Sequence, residues 1–393
     1  MLTFVFLIFC NCNAFLVLHY SKYVKSQHLV LQNTPKYTFV KHNKKRILVA
    51  PLNWGLGHAT RCIPIIKALL NQGFTPIIAS DGVALKLLQK EFPMLSSIEL
   101  PGYNVTYAKN GKNFKMKLLK DSPKVLKAVK NEKKAVKDII ETHQISGIIS
   151  DNRLGVYSKK VPSVFITHQL NVLSGSTTWL STKMHQKIIK KFSACWVPDI
   201  EGDMNLSGKL GHTNTFDIPL TYIGPLSRFE KKATVKNNKL LALISGPEPQ
   251  RGLLVDKLLK ELKDYPEKAI LVKGLMEDEQ TIQIMGNVTV YNFMTSALLE
   301  KTINESDIVI SRSGYTTVMD LAKLNKKAFF IPTPGQFEQE YLAKRLTEMN
   351  LVPSCIQDNF TIDKIETVKN FEGLKAFDFD IDYKKLFSLF QGE

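Results

Sequence analysis

Between Asp307 and Leu346 the chain reads as strand, glycine turn, helix, strand and second helix, with polar groups gathered at the junctions. Ile308-Val309-Ile310 is a short apolar strand. Ser311-Arg312-Ser313-Gly314 forms a tight turn, and Thr316 and Thr317 are placed to cap the helix that carries Asp320. Gly314 lets backbone approach a ligand closely, and the unpaired N–H groups of a helix start make an anion site suited to phosphate. Asp320, about one turn into the helix, offers a carboxylate to a vicinal diol such as a ribose. After the next strand, Ala328 to Pro332, the segment Pro334-Gly335-Gln336-Phe337-Glu338-Gln339-Glu340 supplies acceptors for sugar hydroxyls. A nucleoside diphosphate sugar would satisfy all three groups.

The same alternation runs through the rest of the chain. Arg46 to Pro51 is an apolar strand that enters Asn53-Trp54-Gly55-Leu56-Gly57-His58 and then a helix from about Ala59 to Gln72. Further strands are expected at Thr75 to Ala79, Ile145 to Ser150, Val161 to Thr167 and Cys195 to Val197, with a helix at Gly82 to Lys90. The pattern lapses into a polar, lysine-rich stretch and resumes at Leu240 to Ile244, with a helix at Gly252 to Lys263 and strands at Lys268 to Val272 and Val288 to Tyr291. Repeated βα units predict an α/β protein with parallel sheets. At 393 residues two domains are expected: residues 45–226, a linker at 227–239, and residues 240–393 with a carboxyl-terminal tail. Two Rossmann-like domains facing a central cleft is the economical architecture.

Net charge is +17, and its distribution is uneven. Residues 1–230 hold 31 Lys and Arg against 13 Asp and Glu, whereas residues 231–393 hold 22 against 23. Eleven lysines fall between Lys109 and Lys137, mostly on what can be drawn as an amphipathic helix. Two readings stand side by side, a solvated helix face and attraction to an anionic membrane surface. Nucleic acid is set aside, because no aromatic interleaving or binding-module pattern accompanies the charge. The five cysteines show neither metal-ligand pairing nor a secreted disulfide framework, which fits a reducing compartment. Residues 1–44 are apolar and then basic. They read either as a membrane anchor that keeps the chain on the cytoplasmic side, or as sequence ahead of a later start.

The residues quoted resemble those of nucleotide-sugar glycosyltransferases of the GT-B fold, and most closely glycosyltransferase family 28 with the MurG-like N-acetylglucosaminyl transferases of peptidoglycan synthesis. The likeness spans about Arg46 to Gln357 and rests on Gly55-Leu56-Gly57-His58-Ala59-Thr60-Arg61, on Arg312-Ser313-Gly314 with Asp320, and on Pro332 with Gln339-Glu340. It is closer still to uncharacterised bacterial glycosyltransferase-like proteins with the same Gly-Leu-Gly-His-Ala-Thr-Arg turn. The peptidoglycan enzyme has Glu where this chain has Asp320 and a Gln pair where it has Gln339-Glu340, which leaves the sugar open. The resemblance implies transfer of a hexose-type sugar from a nucleoside diphosphate donor, UDP-sugar foremost, to a lipid-linked or cell-envelope glycan acceptor with inversion. No cofactor or metal is called for, and the protein would work in the cytoplasm, on or anchored to the inner face of the membrane.

His58, at the end of a glycine turn, is the first candidate for general base, with a role in positioning phosphate or acceptor as its alternative. Asp151, at a carboxyl strand end, is the second candidate base, or else a helix-capping loop residue. Gly57, Gly246, Arg251, Arg312, Ser313, Gly314 and Thr316 are expected near the donor phosphates, Phe293 and Met294 against its base, and Asp320, Gln339 and Glu340 on its sugars. Arg61, Arg153 and His168 are expected to meet the acceptor. The run Asp378 to Asp382 mimics a metal-binding motif but lies outside the βα pattern, so a solvated segment is expected. Two rival functions remain, a nucleotide-sugar epimerase and a non-catalytic nucleotide-sugar or membrane-binding module of the same fold. A nicotinamide dehydrogenase is disfavoured, since Gly55-Leu56-Gly57 lacks the third glycine of the dinucleotide fingerprint.

Overall fold

The computed structural model describes residues 44–103, 114–213, 216–246, 248–275, 277–374 and 380–392. The apolar extension, the first lysines of the basic run and Asp378-Phe379 lie outside the described residues.

Two sheets organise the chain. The first contains β1 (Arg46–Pro51), β2 (Thr75–Ser80), β3 (Ser97–Glu99), β4 (Ile145–Asp151), β5 (Ser163–Ile166), β6 (Ala194–Val197) and β7 (Leu220–Tyr222), in the order β3-β2-β1-β4-β5-β6-β7. All pairings are parallel. Strands such as Ile47 to Ala50 and Ile148 to Asp151 are buried without alternation because helices cover both faces. Those helices are α1 (Gly57–Asn71), α2 (Gly82–Glu91), α3 (Phe114–His143) and α4 (Thr178–Ile189). Helix α3 seats Ala128, Val136, Ile139 and Ile140 on the protein while Lys124, Lys127, Lys130, Lys133, Lys134 and Lys137 face solvent. These six lysines of the basic run form an exposed helix face.

The second sheet is formed by β8 (Asn238–Leu243), β9 (Ala269–Val272), β10 (Ile282–Met285), β11 (Val288–Tyr291), β12 (Ser306–Ser311) and β13 (Lys327–Phe330), in the order β10-β11-β9-β8-β12-β13. Edge strand β10 is antiparallel to β11 and went unrecognised in the sequence, where its residues show no strand boundary signal. Helices α5 (Gln250–Glu261), α6 (Ser296–Glu305), α7 (Tyr315–Lys323) and α8 (Phe337–Glu348) complete this lobe.

Chain order reverses between β1 and β4 in the first sheet and between β8 and β12 in the second. Loops leaving the carboxyl ends of strands at such a reversal diverge to opposite faces of the sheet and open a crevice. Pro51 lies beside Asp151 across the first reversal, and Leu243 beside Ser311 across the second. The glycine turns at Gly55 and Gly57, at Gly246 and at Gly314 follow β1, β8 and β12, three of these four strands.

The carboxyl-terminal segment, assigned in the sequence to the second domain, returns to the first sheet. Short helix α9 (Tyr383–Phe387) is capped by Asp382, whose carboxylate accepts the Lys385 amide at 3.0 Å. Phe387 meets the Phe74 ring edge-on at 5.9 Å and lies 6.2 Å from Trp196. Phe390 rests on β4 at Gly147, where an added Cβ would stand 2.4 Å from its ring. Phe387→Ala should therefore cost about 3–5 kcal/mol of unfolding free energy, the range for emptying a buried aromatic site. Denaturant melts check this, and a loss under about 1 kcal/mol would mean that the segment does not hold the first lobe together.

Candidate active site

At the first reversal the glycine turn after β1 delivers His58 on the first turn of α1, and β4 ends on Asp151. His58 Nδ1 lies 2.8 Å from Asp151 Oδ1. The same nitrogen also lies 3.0 Å from an Arg61 terminal nitrogen; in the tautomer that donates Nδ1–H to the Asp151 carboxylate, Nε2 is left basic. Arg61, one turn further along α1, grips both oxygens of Asp151 through Nε and a terminal nitrogen. Cys62 Sγ adds a contact to Oδ2 at 3.7 Å. Asp151 and Arg61 are buried, and His58 is nearly so.

Burial works to raise the Asp151 carboxyl, but the charges of Arg61 and His58 outweigh it and hold the group at about 2. Burial lowers His58 below its ordinary 6.5 against the opposing pull of Asp151. The imidazole is thus neutral at physiological pH, the form that can accept a proton.

The second lobe closes on this dyad through the start of α7. Gly314 occupies the N-cap position with no side-chain cap, so the first-turn amides rest on neither Thr316 nor Thr317. Instead, Thr316 faces Gly57, where a Cβ would stand 2.7 Å from Thr316 Oγ1. Gly57 is glycine because the two helix starts meet there. Tyr315, buried, stacks on the His168 imidazole at 4.3 Å and donates its hydroxyl to the Pro198 carbonyl at 2.8 Å. Glu338, in the first turn of α8, accepts from His168 Nε2 at 3.0 Å and from the Gln169 amide. His168 Nδ1 in turn receives Arg61 at 3.1 Å.

Other expected site residues are placed differently. Arg153 is fully buried, bound to Glu132 and Asp81 at 2.7 Å each and to the Pro51 and Pro101 carbonyls, so it braces the first lobe and does not present a charge to an acceptor. Arg61 likewise faces the dyad. Arg312 spends its two terminal nitrogens on the Ile331, Pro332 and Gln250 carbonyls and on Gln357 Oε1, while its buried Nε has no hydrogen-bond partner among the described residues. Arg251 binds Glu248 and the Gly274 carbonyl. Neither arginine is free for diphosphate in this conformation. Gly246 holds φ +113° in the turn after β8, a conformation that favours glycine.

Asp320 accepts the Ser227 hydroxyl at 2.6 Å through one oxygen, and burial pushes its carboxyl up to about 6. Ser313 donates to the Gln339 carbonyl at 2.8 Å, Gln339 Oε1 takes the Thr333 amide at 2.9 Å, and Glu340 takes the Gly335 amide at 2.8 Å. The Gln339 amide nitrogen then stands 4.0 Å from where a Gly314 Cβ would be, which joins the α8 turn to the α7 turn. Phe293 and Met294 follow β11 and are half-buried. Tyr315 and the interlobe role of Glu338 were not read from the sequence, since a tyrosine after glycine looks like core and a glutamate in a first turn looks like dipole compensation.

Residues 253–370, nearly all of the second lobe beyond β8, match the glycosyltransferase family 28 C-terminal domain. The chain is a glycosyltransferase whose second lobe is similar to the family 28 domain and whose full length is similar to MurG-like transferases. It is 27% identical over 358 residues to the UDP-N-acetylglucosamine--N-acetylmuramyl-(pentapeptide) pyrophosphoryl-undecaprenol N-acetylglucosamine transferase of Buchnera aphidicola, covering 88% of this chain and 94% of that one. An uncharacterized glycosyltransferase of Methanosarcina acetivorans is 24% identical, over 84% of this chain and 94% of its own. The fold matches the crystal structure of Acinetobacter baumannii MurG with a TM-score of 0.51 at 15% identity, covering 88% and 99% of the two chains. This glycosyltransferase thus has the GT-B architecture of two Rossmann-like domains.

A pH test follows from the neutral, buried His58. Its folded pKa lies below the unfolded value, so the unfolded chain binds the proton more readily and stability falls as pH drops below about 6.5. In His58→Gln that part of the fall should vanish. Urea melts between pH 7.5 and 5 should show the two proteins converging in stability as pH decreases, and parallel curves would contradict a buried neutral imidazole.

Proposed function

We propose that this glycosyltransferase moves a hexose-type sugar from a UDP-sugar to a hydroxyl of a lipid-linked acceptor by direct displacement with inversion. The observation that carries the proposal is the meeting of the two switch points: a His58–Asp151 dyad on one side, and the uncapped amino end of α7 against it on the other. The relatives named for UDP-N-acetylglucosamine and a pyrophosphoryl-undecaprenol acceptor supply the donor and acceptor class.

In this reading the first-turn amides of α7 and the turn at Gly246 receive the diphosphate, so that charge developing on the leaving group meets the positive helix end. No metal is required for that role. The free oxygen of Asp320 binds the ribose diol, and Gln339 and Glu340 address the sugar. His58 Nε2 takes the acceptor proton as the new C1–O bond forms and the C1–O bond to phosphate breaks, with Asp151 stabilising the imidazolium. Closure of the lobes excludes water that would otherwise hydrolyse the donor.

A lipid-linked acceptor brings the enzyme to a membrane, and the first lobe has a surface for it. Helix α4, which follows the His168 loop directly, exposes Trp179, Leu180 and Met184 beside Lys183 and Lys187. An apolar stripe edged by lysines suits a monolayer of anionic lipid. Among the described residues no helix is long and apolar enough to cross a membrane. We place the working enzyme on the cytoplasmic face.

Thermal melts against UDP, GDP, TDP and their sugars test the donor. A UDP-sugar at about 100 times its Kd should add about 2.7 kcal/mol and raise Tm by several degrees, and Asp320→Ala should abolish the shift. No shift with any nucleotide would overturn the reading. Flotation with phosphatidylglycerol vesicles tests the membrane surface: binding at low salt should weaken at high salt and in Trp179→Ala/Leu180→Ala, and equal binding by that variant would remove α4 from the account.

A further inference from the structure

The dyad is wired to the opposite lobe. Arg61 donates to His168 Nδ1, which fixes the His168 proton on Nε2, and that N–H points at Glu338 Oε1, 3.0 Å away. The second Glu338 oxygen accepts the Gln169 amide, and Tyr315 covers the His168 ring. The charged groups facing His58 are Asp151 from β4 and Arg61 from α1, with His168 from the loop after β5 and then Glu338 from α8. With both histidines neutral the cluster holds one cation, Arg61, and two carboxylates, Asp151 and Glu338. It is one positive charge short. A proton arriving on His58 balances it.

We infer that Glu338 is a positioning residue for transfer: the donor lobe lends the dyad, through His168 and Arg61, the negative charge and the orientation that let His58 accept the acceptor proton. Without Glu338 the Arg61–Asp151 pair is already neutral, and an imidazolium on His58 would be a buried excess charge. The proton leaves the acceptor oxygen as that oxygen attacks C1, and the sugar–phosphate bond electrons leave with the nucleoside diphosphate. Glu338 belongs to the lobe that binds the donor, so the base is completed only when the lobes are closed. The inference rests on the transferase reading above, but its electrostatic core can be measured without turnover.

Glu338→Gln keeps the size and a hydrogen-bond acceptor while removing the charge. NMR titration of the imidazoles in free enzyme should show the His58 midpoint moved to lower pH in Glu338→Gln and left near wild type in Glu338→Asp. With donor and acceptor, Glu338→Gln should lose about tenfold or more in kcat, with donor KM changed less than about twofold and the acid limb of kcat shifted the same way. A merely structural contact would lower Tm and raise KM without moving the titration. An unmoved His58 midpoint, or a loss confined to KM, overturns the proposal. A moved midpoint in an enzyme that neither binds nucleotide nor turns over would instead overturn the transferase reading and leave the coupling in place.

Discussion

A buried guanidinium held by a buried carboxylate, Arg61 on Asp151, is the contact on which the cleft is built. Either charge alone at that depth would be prohibitive, and removal of one partner of such a pair typically costs about 3–5 kcal/mol. The pair also fixes geometry. Asp151 is the last residue of β4 and Arg61 lies in the second turn of α1, so the bond ties the amino end of a helix to the end of the neighbouring strand and sets the His58 ring between them. Arg61 has a donor left over, and His168 takes it. One side chain thereby orders both histidines of the cleft.

Close approach of the lobes depends on what is missing at Gly57. Helices α1 and α7 each begin at the cleft, and two helix starts repel through their exposed amides unless something negative or polar intervenes. Thr316 Oγ1 occupies the space a Gly57 side chain would fill. Tyr315 reaches past it to the Pro198 carbonyl, and Glu338 reaches the His168 loop. Between them remains the start of α7, whose N-cap glycine supplies no side-chain cap, the feature on which the proposed diphosphate site rests.

The alternation of strands and helices and the glycine turns were readable because they rest on local periodicity and backbone chemistry. The helix predicted at Gly82 to Lys90 is found at Gly82–Glu91, and the strand at Val288 to Tyr291 is found unchanged. Arginine was the hard case. Arg153 and Arg312 each follow the last residue of a strand beside the reversal, where a ligand-binding arginine would sit. Both fold back and cap strand-end carbonyls, Pro51 and Pro101 for one and Ile331 and Pro332 for the other. Sequence cannot separate the two uses, because a long flexible stem reaches either target from one Cα and only the packing around it decides. Asp151 was read as a rival to His58 for the same reason: nothing in the order of residues says that positions 93 apart share a proton.

The corrections to the arginines make the electrostatics of the cleft more coherent. Were Arg61, Arg153, Arg251 and Arg312 all aimed into it, a strongly basic site would hold a nucleoside diphosphate tightly, and tight retention of product slows turnover. As folded, each guanidinium is already paired or hydrogen-bonded within its own lobe, or, for Arg61, also with the dyad. In the function proposed above, the diphosphate is left to backbone amides, whose partial charge stabilises a leaving group without the grip of full ion pairs. The described lysines of α3 from Lys124 on, and Lys183 and Lys187 of α4, are exposed to solvent. In the function proposed above, long-range attraction to an anionic surface is thereby separated from short-range recognition of an anionic donor, and the two respond differently to salt, because exposed charges are screened within about 8–10 Å while groups in a closed cleft are screened much less.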